Sequence, residues 1–213
     1  MNSIFVKIPK WVQRVFKTKT WSIRTTKKEI YLTFDDGPTP KITEWVLDQL
    51  EQYNAKSTFF SIGKNIEKYP AIFKKIIAKG HSIGNHTHNH LKGWKTSTTI
   101  YLENIMEIES VLKDYALPNS KKLFRPPYGK ITNRQSKKVI DKGFSIIMWE
   151  VLSGDFDKRI TKEKCLDNVL RNTKPGSIIV FHDSLKASEN MQYALPKVLD
   201  YYTKKGFVFE AIT

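Results

Sequence analysis

Residues 29–38 read Glu29-Ile30-Tyr31-Leu32-Thr33-Phe34-Asp35-Asp36-Gly37-Pro38, a β-forming run that passes without a break into two carboxylates and a Gly-Pro turn. The pattern recurs down the chain. Strand-like runs fall at 29–34, 57–61, 81–84, 121–124, 144–151, 177–181 and 206–211. Between them lie helical periodicities, such as Ile42/Trp45/Val46/Leu50/Tyr53, Ile72/Phe73/Ile76/Ile77, Ile100/Ile105/Ile108/Leu112, Leu166/Val169/Leu170 and Leu195/Val198/Leu199/Tyr202. Pro40 and Pro70 stand where a first helical residue belongs. Gly80, Gly143 and Gly206 follow last turns, and Thr132 with Gln135 reads as a capping box. Alternation of this kind specifies an α/β fold with a parallel sheet, either a barrel smaller than the eightfold one or an open sheet, in a single domain.

In parallel α/β folds chemistry sits at the carboxyl ends of strands, and there the polar residues of this chain gather. Asp35-Asp36-Gly37-Pro38 follows the first run and His81 to His90 the third, with four of the five histidines in ten positions. Arg125-Pro126-Pro127-Tyr128-Gly129 follows the fourth, Trp149 to Phe156 the fifth, and His182-Asp183 the sixth. Each has a plainer reading: Asp-Asp-Gly-Pro as a turn, a His pair at i, i+4 as surface residues, Arg125 as a carboxylate anchor, His182 as a core histidine. Five such clusters on one face favour a site, and histidines at that spacing could present neutral imidazoles to a metal.

Composition narrows the partners. The 213 residues are 40% hydrophobic and carry 36 Lys+Arg against 21 Asp+Glu, a net charge of +15. Enough apolar material is present for a core. The single Cys165 rules out an internal disulfide and a multi-cysteine zinc finger, and it reads as a small buried hydrophobe. Residues 1–28 hold eight bases and no acid. That arm has no hydrophobic run beyond Ile4-Phe5-Val6, so neither a signal peptide nor a transmembrane helix is recognisable, and a cytoplasmic or peripherally membrane-associated location is expected. Trp11, Val12, Val15 and Phe16 share one face of a short helix ringed by Lys10, Arg14 and Lys17. Two readings stand: an anchor to an anionic membrane or cell-wall surface, or an arm packed across the protein's own body. With the charge excess concentrated in the arm and no recognition motif, no nucleic-acid partner is expected. Oligomeric state is not legible.

Thr33-Phe-Asp-Asp-Gly-Pro38, His86-Thr-His-Asn-His90, Arg125-Pro-Pro-Tyr-Gly129, the Trp149 to Phe156 segment and Ile179-Val-Phe-His182 together resemble the five ordered motifs of the polysaccharide deacetylases, the NodB-like carbohydrate esterases. The resemblance covers roughly 28–213 and leaves 1–27 as a basic N-terminal arm. It implies a distorted (β/α)7 barrel and a hydrolase that removes acetyl groups from an N-acetylglucosamine-containing glycan, peptidoglycan or a chitin-like oligosaccharide. It also implies one divalent metal, commonly zinc, with cobalt, nickel or manganese as alternatives. Carried over by position, Asp36, His86 and His90 are the metal ligands, Asp35 the base, Arg125 its orienting partner, His182 the acid and Asp155 the group that tunes it. The backbone N–H of Tyr128 steadies the oxyanion, and Pro126, Leu152 and Phe156 complete the substrate-binding set. The chain departs from the family in its fourth motif, with Leu152 in place of the usual Asp and Phe156 in place of the Trp, which changes the pocket wall. His81 and His88 match no ligand position and read as structural, and Asp183 is a second candidate partner for His182. Two alternatives accompany this reading: a non-catalytic glycan-binding protein that keeps the barrel, and an O-acetyl esterase on another polysaccharide.

Overall fold

An arm carrying the short helix α1 (Lys10–Val15) leads into β1 (Glu29–Asp35). There follow α2 (Ile42–Gln52), β2 (Thr58–Ser61), α3 (Gly63–Lys68), α4 (Pro70–Ala78), β3 (Ser82–Asn85), α5 (Thr98–Leu112), β4 (Lys122–Phe124) and α6 (Asn133–Asp141). The chain ends with β5 (Phe144–Ile146), β6 (Val151–Leu152), α7 (Lys162–Leu170), β7 (Ile178–His182), α8 (Ser188–Lys204) and β8 (Val208–Phe209). This is a computed structural model describing residues 5–117 and 121–213. Residues 1–4, the start of the basic arm and of its apolar run, lie outside the described residues. All strand pairs are parallel, in the order β5-β4-β3-β2-β1-β7-β6, with β8 beside the start of β1. The sheet curls into a distorted (β/α)7 half-barrel in one domain, open between its two edges, β5 and β6.

The expected strand 144–151 is two strands, because residues 147–150 cross that opening. The Ile147 N–H still donates to Phe124 O (2.8 Å), but the Glu150 N–H donates to Ile178 O of β7, on the other side of the opening (3.0 Å). The arm closes the same gap. Leu152 N–H donates to Val6 O (2.8 Å), Ile8 N–H to Glu150 O (2.9 Å), Thr20 N–H to Ile146 O (2.9 Å) and Met148 N–H to Thr20 O (2.7 Å). Both unpaired edges are thereby covered, as exposed edges require. The expectation at Pro40 also fails: α2 begins at Ile42 behind Lys41, which has a φ of 66°. Pro70 does occupy the first turn of α4, and Thr132 and Gln135 form the capping box of α6.

The two faces of β1 show how the sequence divides the interior. Ile30, Leu32 and Phe34 pack outward with helix residues such as Val46, Leu50, Leu195 and Leu199, and Phe34 stacks on Phe59 at 5.1 Å. Tyr31 packs in a different cluster with Phe60, Leu123, Ile147 and Ile178, and the alternation places Thr33 and Asp35 above it. Cys165 is fully buried.

His81, at the base of β3, is also buried; its Nδ1 lies 3.3 Å from Ser57 N and its ring meets Phe59 edge-on. Burial, followed by the charges of Lys56 and Lys79, pulls its pKa down to about 4. The unfolded chain takes up this proton near pH 6.5 and the folded chain only near 4, so this contribution to stability is complete above 6.5 and is lost as pH falls towards 4. The loss amounts to about 3 kcal/mol. Urea unfolding of chelator-treated protein at pH 7 and 4.5 should show a smaller acid loss in His81→Gln than in the wild type.

Candidate active site

Strand β1 delivers Asp35 into the barrel, and the next residue turns sharply. Asp36 has a φ of 83°, and its carbonyl accepts from Asn65 Nδ2 at 2.7 Å. The Gly37 N–H donates to Asp183 Oδ1 (2.9 Å), and a Cβ at Gly37 would land on that carboxylate, so the turn requires glycine. The histidine segment leaves β3 as a loop, with Thr87 at φ 62° and His90 at φ 55°. Helix α3 donates its first N–H groups to this loop, Gly63 to Thr87 O (3.2 Å) and Lys64 to His88 O (3.1 Å). Asn85 Oδ1 accepts from Thr87 N (2.9 Å), and Asn104 Oδ1 accepts from Asn89 N (2.9 Å). Backbone strain at non-glycine residues collects where function is built. Here Asp36, Thr87, His90 and Tyr128 (φ 59°) are all left-handed.

This scaffold brings Asp36, His86 and His90 together, with one potential ligand atom from each lying within 4.8 Å of the others. Asp36 Oδ1 is 3.2 Å from His90 Nε2 and 3.7 Å from His86 Nε2. The residues fit a divalent cation on three counts. His86 Nδ1 lies 2.7 Å from the Arg125 carbonyl, which can only accept, so the proton sits on Nδ1 and Nε2 turns a lone pair towards Asp36. Asp36 Oδ1 is buried without a hydrogen-bond donor. Protonation states agree as well. Burial pulls His86 down to about 4 despite the attraction of Asp35, leaving it neutral at neutral pH. At Asp36 burial works upwards, but the His90 contact and the charge of protonated His182 outweigh it and hold the carboxyl below the usual range. One carboxylate and two imidazoles form a donor set suited to zinc and its neighbours.

Beside it, Arg125 is fully buried. Its Nη1 reaches Asp35 Oδ1 (2.6 Å) and Thr33 Oγ1 (2.7 Å), Nε donates to Ile147 O (3.2 Å) and Nη2 to Met148 O (2.9 Å). Phe60 lies 4.0 Å under the guanidinium. The arginine is thus fixed by the crossing segment 147–150 and in turn fixes one oxygen of Asp35, a charge-assisted contact in a dry setting.

His182, the register partner of Asp35 across β1 and β7, has Nδ1 2.8 Å from Asp155 Oδ1, while its N–H donates to Asp155 Oδ2 (2.7 Å). Burial alone would lower this imidazole. The charge and hydrogen bond of Asp155, then the charges of Asp36 and Asp35, raise it to about 9. Asp183 does not bond the imidazole: it accepts from Gly37 N and from Thr43 Oγ1 (2.5 Å) and acts on the Asp36 turn instead. Around the site, the Phe156 ring meets His182 edge-on at 5.0 Å, the exposed Tyr128 ring lies 4.7 Å from His90, and Pro126 and Leu152 are buried. His88 points elsewhere, with Nε2 3.4 Å from Glu107 Oε1. Sequence reasoning missed Asn65, Asn85 and Asn104 as supports. Isolated asparagines carry no periodic or motif signal.

Residues 22–147 match the sequence model of the family described as polysaccharide deacetylase. Two peptidoglycan-N-acetylglucosamine deacetylases of Bacillus cereus are similar to the chain. One is 39% identical over 187 residues, covering 86% of this chain and 66% of the relative; the other is 33% identical over 195 residues, covering 91% of each. The crystal structure of a peptidoglycan N-acetylglucosamine deacetylase in complex with 4-naphthalen-1-yl-N-oxidanyl-benzamide superposes with a TM-score of 0.86 at 36% identity, covering 94% of both chains. A match spanning more than half of the residues, together with a shared fold at this identity, establishes that the chain belongs to the polysaccharide deacetylase family and is a deacetylase.

Proposed function

We propose that the chain hydrolyses the N-acetyl group of an N-acetylglucosamine-containing glycan, of the peptidoglycan or chitin-like class, with a zinc-type divalent ion held by Asp36, His86 and His90. The observation that carries this reading is the pair of proton carriers beside the ligands: Asp35 ion-paired with Arg125, and His182 held protonated by Asp155. Bound at the three ligands, the ion would polarise the acetyl carbonyl and acidify a water. Asp35 takes the proton of the attacking water, and Arg125 keeps its carboxylate in place. The Tyr128 N–H donates to the oxyanion that develops on the acetyl group; one such donor contributes about 10²–10³ in rate. His182, with Nδ1 engaged by Asp155, offers the proton on Nε2 to the departing sugar nitrogen. Leu152 and Phe156 shape the acyl wall.

Both Bacillus cereus relatives carry the name peptidoglycan-N-acetylglucosamine deacetylase, which supports this substrate class. The test is acetate release from peptidoglycan fragments and from N-acetylglucosamine oligomers, with and without chelator. Release that chelator abolishes and added zinc restores is expected. Oligomer binding without release would favour the non-catalytic alternative, and release only from O-acetylated polymers would favour the esterase.

A further inference from the structure

The arm's two readings resolve into a division of labour between its backbone and one helix. Its backbone is stitched into the barrel opening on both sides of α1, at Val6 and Ile8 before it and at Thr20 after it. Helix α1 itself buries no residue. Val12 packs against the body beside Ile8 and Trp21, and Trp21 Nε1 donates to the Phe16 carbonyl (3.1 Å), so the helix is firmly seated. Its outer side is nonetheless apolar: Trp11 is 64% exposed and Val15 65%, one turn apart. Lys10 and Arg14 run alongside them at the same spacing, and Lys10, Arg14 and Lys17 are all exposed. The surface continues across a groove of about 470 Å³ onto α6, lined by Val15, Phe16, Lys19, Ser136, Lys137 and Ile140. Ile140 is exposed, and Lys19 lies over the Phe16 ring at 4.6 Å. Ser136 Oγ at the groove is buried with no partner, and the adjoining acid, Asp141, is paired with Lys137 at 3.0 Å.

We infer that this α1–α6 surface docks the protein on an anionic phospholipid bilayer, with Trp11 and Val15 entering the interface and Lys10, Arg14 and Lys17 meeting the headgroups. Charge complementarity calls for an anionic partner, since residues 1–28 contain no acid. The apolar pair selects between anionic partners. A wall glycan can stack a sugar ring on Trp11 but offers little to the exposed aliphatic Val15 and Ile140, whereas the headgroup–acyl boundary takes up aromatic and aliphatic side chains together on a basic amphipathic surface. Clamping at both ends keeps the helix folded before it meets the membrane, which reduces the ordering cost of binding. No helix among the described residues is long and apolar enough to cross a membrane, so the contact is with the surface.

The test is co-sedimentation of the full chain with vesicles of phosphatidylcholine, alone or mixed with phosphatidylglycerol. Wild type should sediment with the mixed vesicles and not with phosphatidylcholine alone, and added salt should release it. Removing the three bases together (Lys10→Ser, Arg14→Ser, Lys17→Ser) should weaken partitioning by roughly a hundredfold. Trp11→Ser with Val15→Ser should weaken it by about tenfold. All five positions are exposed and outside the proposed catalytic set, so thermal melting and acetate release from soluble oligomers should match wild type. Equal sedimentation with both vesicle types, or wild-type partitioning by either variant, would overturn the inference. So would binding to soluble polyglutamate that survives Trp11→Ser with Val15→Ser while no vesicle is bound, an outcome that assigns the surface to a wall-type polyanion.

Discussion

Asp35→Asn is expected to lower acetate release by about 10³-fold while the protein keeps its metal, because base catalysis of this kind contributes about 10²–10⁴ and the residue lies outside the ligand set. Asparagine is nearly isosteric and keeps an oxygen for the Arg125 Nη1 contact (2.6 Å in the wild type), but it cannot take a proton from water. Asp35→Ala is the poorer experiment. It leaves the fully buried Arg125 guanidinium without a counter-charge, which costs about 3–5 kcal/mol and confounds lost chemistry with lost fold. Acetate release and elemental analysis on one Asp35→Asn sample decide the matter. Activity within tenfold of wild type would remove Asp35 from the base role, and metal loss would place it among the ligands.

The parts of this protein that could be read from its sequence are those where burial and chemistry coincide on one strand. In β1, the outward Ile30, Leu32 and Phe34 give the strand its apolar run, and the inward Thr33 and Asp35 lead into the site; one stretch thus encodes both fold and function. The crossing at 147–150 was not legible, because an edge-to-edge passage is as apolar as a strand interior and differs only in its partners, Arg125 and the arm. Nor could periodicity foresee that Thr87 and His90 take left-handed backbones, the geometry by which a loop rather than a helical turn brings His86 and His90 to one carboxylate. The arm gave two readings because its helix has two sides. Val12 faces the body while Trp11 and Val15 face water, a distinction that spacing alone does not make.

Asp155→Asn should shift the alkaline limb of the activity profile by more than two pH units. In the wild type His182 is raised to about 9, so it stays protonated through neutrality, and activity that depends on its proton declines only as pH rises through that value. The largest single influence on His182 is burial, which disfavours the imidazolium; the charge of Asp155 and its bond to Nδ1, joined by the charges of Asp36 and Asp35, overcome it. Asparagine can keep a polar contact near Nδ1 but brings no charge. Burial then stands against only the charges of Asp36 and Asp35, and the limb should fall to about 6.5 or below, the range of an unassisted histidine. The sign is therefore fixed: at pH 8 the variant should be slower than wild type by about 30-fold or more, and the deficit should shrink as pH falls towards 6 and His182 regains its proton. Profiles of kcat on an N-acetylated oligomer from pH 5.5 to 10, with metal content checked at each end, provide the measurement. A variant that is slower by the same factor at every pH would show that Asp155 only positions the ring, and an unchanged profile would remove the Asp155–His182 pair from proton transfer altogether.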